Sequence, residues 1–547
     1  MRGRIVLPAS KSISARALII NALSRNPSLP DNLSDSDDTQ AMLKGLASPK
    51  PSPKGEGLKS LPLGGDLEEA GGSFIDIGAA GTAMRFLTAY LSVTPGQHII
   101  TGTQRMQHRP IGILVDALRQ LGATITYEGE EGFPPLRIVG HDNLEGGSLT
   151  VPGNVSSQYI SALLMIAPTL KNGLHLTLEG NVASRPYLDM TISMMREFGA
   201  KVEWQGNNAI DVQPGSYLQR PYHIESDWSA ASYWYEMVAL TRDANAEVEL
   251  VGLHRDSIQG DSKVWQMFRE LGVVTEYFVE PDGTEVIRIR KGGGITCHFS
   301  CDFTHQPDLA QTFAVTCSML GVPFHLYGLQ SLRIKETDRI DALVNELGKI
   351  VRLEEKDSEL LWEGFYEIED LDMLPYETFT FDTYEDHRMA MSLAPVCLRT
   401  GGEIQINNPE VVSKSYPSFW EDLKKVGFKV ETTPSDSPLK GEKTKQEVSP
   451  LRGDLEGSWC CGLHEVCEKE SLRAAMEDVE YYEDEELDRF RGRTSYSEEE
   501  VEEFREVLYT MRTDEVPGWV HSLELRRVNL PDELKDEVLL IVGEQGQ

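Results

Sequence analysis

The sequence has little cysteine, no long apolar run and no excess of basic residues, and each of these absences excludes a class of protein. Its seven cysteines, an odd number scattered over 547 residues, do not form the framework of a disulfide-stabilised secreted domain. No apolar stretch approaches the roughly 20 residues that a membrane-spanning helix needs. The start, Met1–Pro8, predicts a short strand and a turn, without the apolar core of a signal peptide. We therefore expect a cytoplasmic protein that has no membrane partner.

The charge balance is acidic throughout, with 52 Lys and Arg against 87 Asp and Glu and a net charge of −35. Residues 459–547 alone contain 25 Asp and Glu against 10 Lys and Arg. Nucleic acid is excluded as a partner, because binding many phosphates requires a net basic surface. Any anionic ligand must therefore be held by a local cluster of cations. With 547 residues, 40% of them hydrophobic, the chain has room for two or more globular domains.

Two segments share one low-complexity pattern. Residues 52–68 recur, slightly altered, at 437–456, where Ser-Pro-(Leu)-Lys-Gly-Glu and Leu-x-Gly-Asp-Leu-Glu appear again. Both copies are rich in Gly, Pro, Ser and charge and have few residues to bury. We predict that 48–72 is an insertion and that 434–458 is a linker, both without a catalytic role. A recognition tag is the alternative.

The most informative stretch, Arg333–Arg339, combines charged residues with the start of a predicted helix. Apolar residues then recur about every 3.6 positions, which predicts a helix that starts near Asp338. Lys335, Glu336 and Arg339 would crowd its N-terminus, where free N–H groups and the helix dipole favour anions. A carboxylate between two cations at such a place indicates an anionic substrate beside a proton-transfer group. The alternative is a surface cap with a solvated salt bridge.

Polar and basic residues recur in the same way at the starts of other predicted helices. About twelve helices alternate with short strands between Met1 and Val426, which indicates six copies of a small α/β unit. If the N-termini converge, their dipoles and the cations form a positive cleft suited to phosphates and carboxylates. The residues at these starts are Lys11, Ser12, Arg16, Gly81, Arg109, Ser156, Ser157, Gln158, Ser184, Tyr187, Asp227, Asp308, Arg388 and Lys414. The alternative for each is an ordinary helix cap or a surface cation.

Seven short motifs in a fixed order resemble those of a known family. They are Leu7–Ser12, Gly81–Arg85, Arg109–Gly112, Ser156–Gln158, Lys335–Arg339, Asp386–Ala390 and Ser413–Pro417. Together they resemble the 3-phosphoshikimate 1-carboxyvinyltransferases, the EPSP synthase family, and the resemblance extends from about Arg4 to about Val430. It implies an α/β fold, a two-domain inside-out α/β barrel in which each domain has three βαβαββ repeats.

The resemblance also implies domain boundaries, a reaction and its partners. Residues 1–8 and 226–433 would form the first domain, and 9–225 the second. The implied reaction transfers the enolpyruvyl group of phosphoenolpyruvate to the 5-hydroxyl of 3-phosphoshikimate and releases phosphate, on the route to chorismate and the aromatic amino acids. Both substrates are small molecules, and no metal or organic cofactor is implied. We expect a monomer.

The resemblance also implies a set of binding residues, which are the positions of this sequence that match the motifs of the family. Those for 3-phosphoshikimate are Lys11, Ser12, Arg16, Ser156, Ser157, Gln158, Ser184, Tyr187, Asp308 and Lys335. Those for phosphoenolpyruvate are Lys11, Gly81, Arg109, Gln158, Arg339, Arg388 and Lys414. In this assignment Ser12 and Arg16 hold the shikimate carboxylate, and Lys335 helps to hold its phosphate.

Asp308, Glu336 and Lys11 are the catalytic residues that the resemblance implies. Asp308 would take the proton of the 5-hydroxyl, and Glu336 would protonate the vinyl methylene and later remove a proton as phosphate leaves. A pair of carboxylates can shuttle protons in both directions, and fixed cations stabilise the departing phosphate. His387 is a candidate assistant in proton transfer, with packing as the alternative.

Four features depart from the pattern of many relatives. Ala79 stands in place of an Asn, Phe86 in place of a Pro and Ser331 in place of an Asn. Residues 48–72 lie where relatives have additional sheet. These departures leave the affinity for the substrates and the sensitivity to glyphosate open.

Two rival functions are alternatives to the one that this resemblance implies. The UDP-N-acetylglucosamine enolpyruvyl transferases share the fold and the donor, but they usually have a reactive Cys in a loop that here, at Arg105–Ile111, has none. A non-catalytic anion-binding scaffold would be expected to lack Asp308 or Glu336, and both are present.

Residues 459–547 lie outside the resemblance and predict a small, acidic, mainly helical extension of unknown function. Glu499–Met511 predicts an amphipathic helix with Val501, Phe504, Val507 and Leu508 inward, and Pro531–Val542 is a second candidate helix. Cys460, Cys461, His464 and Cys467 form a compact cluster. We expect these cysteines to be reduced, free thiols. A zinc site is the alternative, but no second Cys/His pair follows at the spacing that is usual for zinc ligands.

Overall fold

The computed structural model describes residues 1–47, 73–182, 184–364, 379–400, 403–434, 444–450, 485–490, 493, 496–510 and the positions 516, 519, 522, 523, 528, 530, 531 and 534. The chain divides into two compact units, Met1–Glu456 and Gly457–Gln547.

The strands of the first unit form five sheets of four strands each within the described residues. The strands are β1 Arg2–Val6, β2 Ser73–Asp76, β3 Gly96–Thr101, β4 Thr124–Tyr127, β5 Leu136–Gly140, β6 Gly147–Pro152, β7 Leu174–Glu179, β8 Val202–Gln205, β9 Ala209–Val212, β10 Glu247–Val251, β11 Leu271–Val279, β12 Glu285–Ile295, β13 Phe299–Asp302, β14 Phe324–Tyr327, β15 Glu354–Lys356, β16 Glu359–Trp362, β17 Phe379–Phe381, β18 Ile404–Asn407, β19 Phe428–Pro434 and β20 Thr444–Pro450. The strand orders are β1-β10-β12-β11, β13-β14-β16-β15, β17-β18-β20-β19, β2-β3-β5-β4 and β6-β7-β9-β8.

All five sheets repeat one topology. The first two strands are parallel, as where Val6 in β1 lies opposite Val251 in β10. The third strand in the order pairs antiparallel with the second, and the fourth pairs antiparallel with the third. Parallel neighbours need a crossover connection, and a helical segment supplies it in four of the sheets, whereas residues 7–246 lie between β1 and β10. Strand β6, the helix Ser157–Ile166, β7, the helix Arg185–Glu197, β8 and β9 give one complete βαβαββ unit. The predicted α/β fold of βαβαββ repeats is thus confirmed.

The helices alternate with the strands as the sequence predicts. The α-helices are Lys11–Leu23, Asp37–Ala47, Gly81–Ser92, Gln104–Gln107, Gly112–Gln120, Ser157–Ile166, Arg185–Glu197, Trp228–Leu240, Val264–Arg269, Ala310–Leu320, Arg339–Leu347, His387–Leu393, Cys397–Thr400, Phe419–Lys425 and Glu498–Thr510. Short 3-10 turns lie at Ala167–Thr169, Gly260–Lys263, Pro307–Leu309, Gln330–Ile334, Ala394–Val396, Pro409–Lys414 and Glu485–Phe490. No helix in the described parts of the chain is long and apolar enough to cross a membrane.

Two hydrophobic cores divide the first unit into lobes. One core contains buried residues from Met1 to Leu7 and from Trp228 to Val430, and we call this part the first lobe. The other contains buried residues from Ala9 to Ile224, and we call this part the second lobe. The domain boundaries given above stay a prediction, which this division of the cores supports.

Each lobe has three buried helices at its centre and its sheets around them. In the first lobe Trp228–Leu240, Ala310–Leu320 and His387–Leu393 pack against one another. Every residue of Trp228–Leu240 except Ser229 is buried, which fits a helix that is apolar on all sides. The second lobe packs Lys11–Leu23, Gly81–Ser92 and Ser157–Ile166 in the same way. One buried helix per repeat is therefore the common structural element.

The prediction that 434–458 is a linker is wrong for Thr444–Pro450. These residues form β20, which pairs antiparallel with β18 on one side and with β19 on the other. The segment is polar and gives little strand signal, but the backbone pairing of a central strand outweighs the weak local preference. The predicted insertion 48–72 lies outside the described residues.

The second unit has its own small core in its described residues. Glu498–Thr510 is helical as predicted, with Val501, Phe504 and Leu508 buried and Val507 packed against them. The ring of Phe504 stacks on Phe490, with the ring centroids 5.4 Å apart. The Cys460–Cys467 cluster lies outside the described residues, as does most of the predicted helix Pro531–Val542.

Removing the second unit tests this division. We expect a chain that ends at Glu456 to melt within about 2 °C of the main transition of the full chain, because β20 is kept. A chain that ends at Thr433 loses β20 and exposes both of its partners, and it should melt about 5 °C lower or more. Differential scanning calorimetry of both variants is the measurement. Equal melting of the two truncated chains would contradict the pairing of β20.

A buried carboxyl in the centre of the first lobe gives a second prediction. Glu236 lies within Trp228–Leu240, and neither of its oxygens has a hydrogen-bond partner among the described residues. Burial raises the pKa of Glu236 well above its usual value. The contribution of this carboxyl to the free energy of unfolding is therefore fully present only below its unfolded pKa of about 4.3. The contribution is lost as the pH rises through the pKa of the folded state.

We expect Glu236→Met to raise the free energy of unfolding at pH 8 by about 1–3 kcal/mol, since an unpaired polar group leaves the core. The gain should shrink as the pH falls towards 4.5, where the wild-type carboxyl is protonated in both states. Denaturation followed by tryptophan fluorescence at several pH values measures this. Glu203→Met, at an exposed position in β8, is the control and should show no such pH dependence. A loss of stability at pH 8 would show that Glu236 has a partner.

Candidate active site

A polar cleft lies between the two lobes and is lined by residues of both. Its lining residues are Lys11, Ser12, Arg16, Asp38, Gly81, Thr82, Arg109, Ser156, Ser157, Gln158, Ser184, Tyr187, Asp227, Ser229, Ala230, Tyr233, Asp308, Lys335, Glu336, Arg339, His387, Arg388 and Ser415. Every residue predicted for the site is among them except Lys414, whose neighbour Ser415 takes its place. Lys414 is nevertheless close enough to Glu336 to interact with it electrostatically. The structure therefore brings the whole predicted set together.

Helix N-termini from both lobes place these side chains. Several of the helices begin with a side-chain cap, which satisfies one or two of the free N–H groups of the first turn. Ser10 Oγ accepts from Ile13 N (3.5 Å), Ser156 Oγ from Gln158 N (3.4 Å), Asp227 Oδ1 from Ala230 N (2.9 Å), Asp338 Oδ1 from Ile340 N (3.1 Å) and Asp386 Oδ1 from Arg388 N (2.8 Å). The residues that follow each cap then face the cleft, which explains why polar residues recur at these positions.

The guanidinium of Arg339 joins three carboxylates at the centre of the site. Its side chain is only 1% exposed. Nε and Nη2 donate to Asp386 at 2.7 and 3.3 Å, Nη1 donates to Asp308 at 2.9 Å, and Nη2 also donates to Glu336 at 3.0 Å. Burial alone would lower the pKa of Arg339, but the three carboxylates outweigh it and raise the pKa. The cation is thus permanently charged and fixed in place.

Asp308 lies among cations on both of its oxygens. Oδ1 accepts from Arg339 and lies 3.6 Å from Lys335 Nζ, while Oδ2 accepts from Arg388 Nη2 at 3.0 Å and from Tyr187 OH at 3.2 Å. Burial raises the pKa of Asp308, but Arg388, Lys335 and Arg339 outweigh it and bring the pKa well below its usual value. Asp308 is therefore ionised at neutral pH.

Glu336 has a comparable environment. Burial raises the pKa of Glu336, but the charges of Arg339 and Lys414 overcome this and lower it well below its usual value. His387 lies beside it, with both ring nitrogens buried and without a hydrogen-bond partner among the described residues, although Nδ1 lies 3.8 Å from Asp386 Oδ1. Burial, with Lys11 and Arg388 nearby, lowers the pKa of His387 well below its usual value, so its ring is neutral.

The turn at Gly81 brings a further cation into the cleft. A Cβ atom at Gly81 would lie 2.7 Å from Arg109 Nη1, so the Arg109 side chain would have to move if a larger residue stood there. Arg85, behind the turn, donates to the carbonyl oxygens of Gly81 and Pro110 at 3.1 and 3.2 Å. Neither Arg109 nor Lys414 forms an ion pair with any carboxylate that the structure describes. Lys11, in contrast, lies 3.4 Å from Asp38.

A buried arginine lies at the other end of the cleft. Arg16 donates to Thr191 Oγ1 at 2.7 Å and to the carbonyl oxygen of Ser12 at 2.8 Å. No described carboxylate pairs with this guanidinium, and burial lowers its pKa to about 10. Gln158 Nε2 donates to Thr82 Oγ1 at 3.1 Å and joins this end of the cleft to the turn that begins at Gly81. A negatively charged ligand would compensate the charge of such a buried cation.

A family model described as EPSP synthase (3-phosphoshikimate 1-carboxyvinyltransferase) matches residues 1–423. The chain belongs to the EPSP synthase family. A 3-phosphoshikimate 1-carboxyvinyltransferase of Bacteroides fragilis is 52% identical over 432 residues, which cover 78% of this chain and 96% of the relative. The enzyme of the same name from Shewanella pealeana is 36% identical over 427 residues, with 77% and 96% covered. The solved EPSP synthase of Acinetobacter baumannii shares the fold, with a TM-score of 0.59 at 23% identity and with 78% and 96% covered.

Sequence reasoning missed several residues of this EPSP synthase site. Asp386 was part of a recognised motif but had no role, and it proves to be the bidentate partner of Arg339. Tyr233 accepts from Arg388 Nη1 at 3.3 Å. Asp261 is buried under the cleft and accepts from Ser229, and burial together with the charge of Asp308 raises its pKa to about 7. Long-range contacts of this kind leave no local pattern in the sequence.

None of the three substituted residues that depart from the family pattern lines the cleft, and the fourth departure, residues 48–72, lies outside the described residues. Ala79 is exposed, Phe86 is buried with its ring 5.4 Å from the Arg16 guanidinium, and neither lines the cleft. Ser331 lies in the turn Gln330–Ile334 and does not line it either. No group of three or more His, Cys, Asp or Glu residues in the described part of the chain is arranged to hold a metal ion.

Substitution of Asp386 tests the central ion pair. We expect Asp386→Ala to lower the free energy of unfolding by about 3–5 kcal/mol, because it leaves a buried guanidinium short of its closest partner. Asp386→Asn keeps an oxygen to cap the helix and should recover only about 1 kcal/mol of that loss. Chemical denaturation followed by tryptophan fluorescence measures both values. If Asp386→Ala were as stable as the wild type, Arg339 would not depend on this carboxylate.

Proposed function

We propose that this cleft binds 3-phosphoshikimate and phosphoenolpyruvate and transfers the carboxyvinyl group to the 5-hydroxyl of the former, with release of phosphate. The observation that carries the proposal is the pair of carboxylates, Asp308 and Glu336, on one buried guanidinium inside a ring of cations. Membership of the EPSP synthase family gives the same reaction. The product lies on the route to chorismate and the aromatic amino acids.

The shikimate site is proposed at the end of the cleft that contains Arg16 and Ser12. The buried guanidinium of Arg16, which lacks a carboxylate partner among the described residues, suits the substrate carboxylate. Hydroxyls at a helix start and a lysine suit the phosphate. The proposed set for 3-phosphoshikimate is Lys11, Ser12, Arg16, Ser156, Ser157, Gln158, Ser184, Tyr187, Asp308 and Lys335.

Phosphoenolpyruvate is proposed to bind next to it, where the cations are densest. Arg109 and Lys414 have no described carboxylate partner, so a phosphate or carboxylate would neutralise them. The proposed set is Lys11, Gly81, Arg109, Gln158, Arg339, Arg388 and Lys414. Fixed cations at this place would stabilise the negative charge that grows on the leaving phosphate.

Proton transfer follows from the two carboxylates. Asp308, ionised in the free protein, takes the proton of the 5-hydroxyl as that oxygen attacks C2 of phosphoenolpyruvate, and a proton from Glu336 goes to the C3 methylene. In the second half Glu336 takes a proton back from the methyl group while phosphate leaves C2, and the departing phosphate takes the proton that Asp308 received from the hydroxyl. Glu336 must hold a proton for the first half, although its pKa is low in the free protein. The anionic substrates supply the change, because added negative charge raises the pKa of a nearby carboxyl.

The rival functions have less support. Transfer to UDP-N-acetylglucosamine is not favoured by the family match. A non-catalytic scaffold would not need two carboxylates on one guanidinium. A cytoplasmic location and the absence of nucleic-acid partners stay predictions from the composition of the chain, and a monomeric state stays an expectation.

Glu336→Gln tests the acid–base assignment. We expect turnover to fall by about 100-fold or more, since an amide can neither give nor take the proton. Binding of 3-phosphoshikimate should stay within about tenfold of the wild type, because the cations that hold it are unchanged. Phosphate release and isothermal titration calorimetry measure the two quantities.

Glu385→Gln is the matched control, since Glu385 is 75% exposed and lies outside the cleft. It should leave both quantities unchanged. Unaltered turnover in Glu336→Gln would remove Glu336 from the mechanism. Phosphate release with UDP-N-acetylglucosamine as acceptor, and none with 3-phosphoshikimate, would overturn the proposed substrate.

A further inference from the structure

The loop that presents Lys335 and Glu336 to the cleft lacks backbone support. None of Lys335, Glu336 and Thr337 makes a hydrogen bond to another backbone group in the described structure. The preceding residue, Ile334, is 70% exposed. Leu332 is buried and fixes the start of the loop, and Asp338 caps the helix that ends it. Side-chain contacts must therefore hold the residues between these two points.

The contacts of Lys335 and Glu336 themselves do not provide a lasting support. Lys335 lies 3.6 Å from Asp308 and Glu336 accepts from Arg339 at 3.0 Å, so both face the substrates. Substrate phosphates and carboxylates compete for the same charges. These two contacts must change during each turnover, and an anchor outside the cleft is needed.

Arg333 supplies contacts of that kind on the opposite side of the loop. It does not line the cleft. Its Nη1 donates to Asp338 Oδ2 at 2.8 Å and to Asp341 Oδ1 at 3.1 Å, which joins the loop to the start of the helix Arg339–Leu347. Its Nη2 donates to Glu355, and its Nε donates to Ser358 Oγ at 3.1 Å. One planar guanidinium thus contacts both structural elements next to the loop.

The hairpin that receives Arg333 is firmly placed and shaped for this contact. It joins β15 to β16, and β16 pairs with β14 and buries Leu360 and Trp362 in the core of the first lobe. Its turn residues, Asp357 and Ser358, have φ values of 52° and 62°. A two-residue turn of this type usually has Gly in the second position. Ser358 is less favourable there, but its hydroxyl provides the acceptor for Arg333.

We propose that Arg333 is a positioning residue that holds the Lys335–Glu336 loop against the β15–β16 hairpin, so that both side chains stay aligned with the substrates through the catalytic cycle. This inference rests on the proposed function of the same site. The alternative is a surface ion-pair cluster that adds a little stability and nothing else, as many exposed pairs do.

The test compares Arg333→Met with Arg290→Met. Arg290 is also a partly exposed arginine with a carboxylate partner, Glu276 at 3.0 Å, but it lies in β12 away from the cleft. We expect Arg333→Met to lower kcat by about tenfold or more, since a displacement of about 1 Å in a catalytic group has effects of this size. Binding of 3-phosphoshikimate should weaken severalfold through Lys335. Arg290→Met should leave both unchanged, and Arg333→Lys, which lacks the planar fork, should recover only part of kcat.

Ser358→Gly separates positioning from stability. Glycine relieves the left-handed turn and should keep or raise the melting temperature. It also removes the acceptor for Arg333, so kcat should fall by about threefold despite the unchanged stability. A merely structural cluster predicts that kcat and melting temperature change together, and that result would overturn the proposal.

Hydrogen exchange gives a readout that needs no activity. Amides of 330–338 should exchange faster in Arg333→Met than in the wild type or in Arg290→Met, as measured by mass spectrometry of the peptides. Unchanged exchange in this segment, or a kcat within about twofold of the wild type, would overturn the proposal. If the wild-type protein failed to use 3-phosphoshikimate, the proposed function would fail while the exchange result still decided whether Arg333 holds the loop.

Discussion

The contact between the buried guanidinium of Arg339 and three carboxylates is the interaction on which the site depends. A buried charge is costly unless it is paired and hydrogen-bonded. Here Asp386 takes two of the hydrogen bonds, and it is itself fully buried, so this pair forms the fixed half of the network. Asp308 and Glu336 take the other two from the side of the cleft. The pair with Asp386 orients Arg339. Asp308 and Glu336, on the cleft side of the guanidinium, stay accessible to a substrate.

The fold makes this arrangement possible by burying one helix of each repeat. The buried helices cannot end in the core without partners for their first N–H groups. Their N-termini instead reach the cleft, where caps such as Asp227 and Asp386 satisfy part of them and bound anions can satisfy others. The same architecture therefore explains the apolar character of Trp228–Leu240 and the polar residues at its start. The same repeat therefore accounts both for the packing of the core and for the capacity of the cleft to bind anions.

Most of the fold and of the residue set could be predicted from the sequence, because both depend on local signals. Helix caps, apolar spacing and the motif order place Lys11, Arg109 and Asp308 at helix starts or turns without any three-dimensional information. The partners across the chain could not be predicted in the same way. Asp386 meets Arg339 over a separation of 47 residues, and β20 gains its place from two neighbouring strands rather than from its own composition.

The charge of the cleft also bears on how the proposed site would perform both an acid and a base step. In the free protein the cations lower the pKa of both Asp308 and Glu336 well below the usual carboxyl values, so each is ionised. A general acid cannot act from that state. Two substrates that together contain two phosphates and two carboxylates neutralise the surrounding cations, and the pKa of a carboxyl next to them rises. In the proposed mechanism substrate binding protonates Glu336, which among the described residues accepts from Arg339 alone, whereas Asp308, which accepts from both Arg339 and Arg388, stays ionised and is the proposed base.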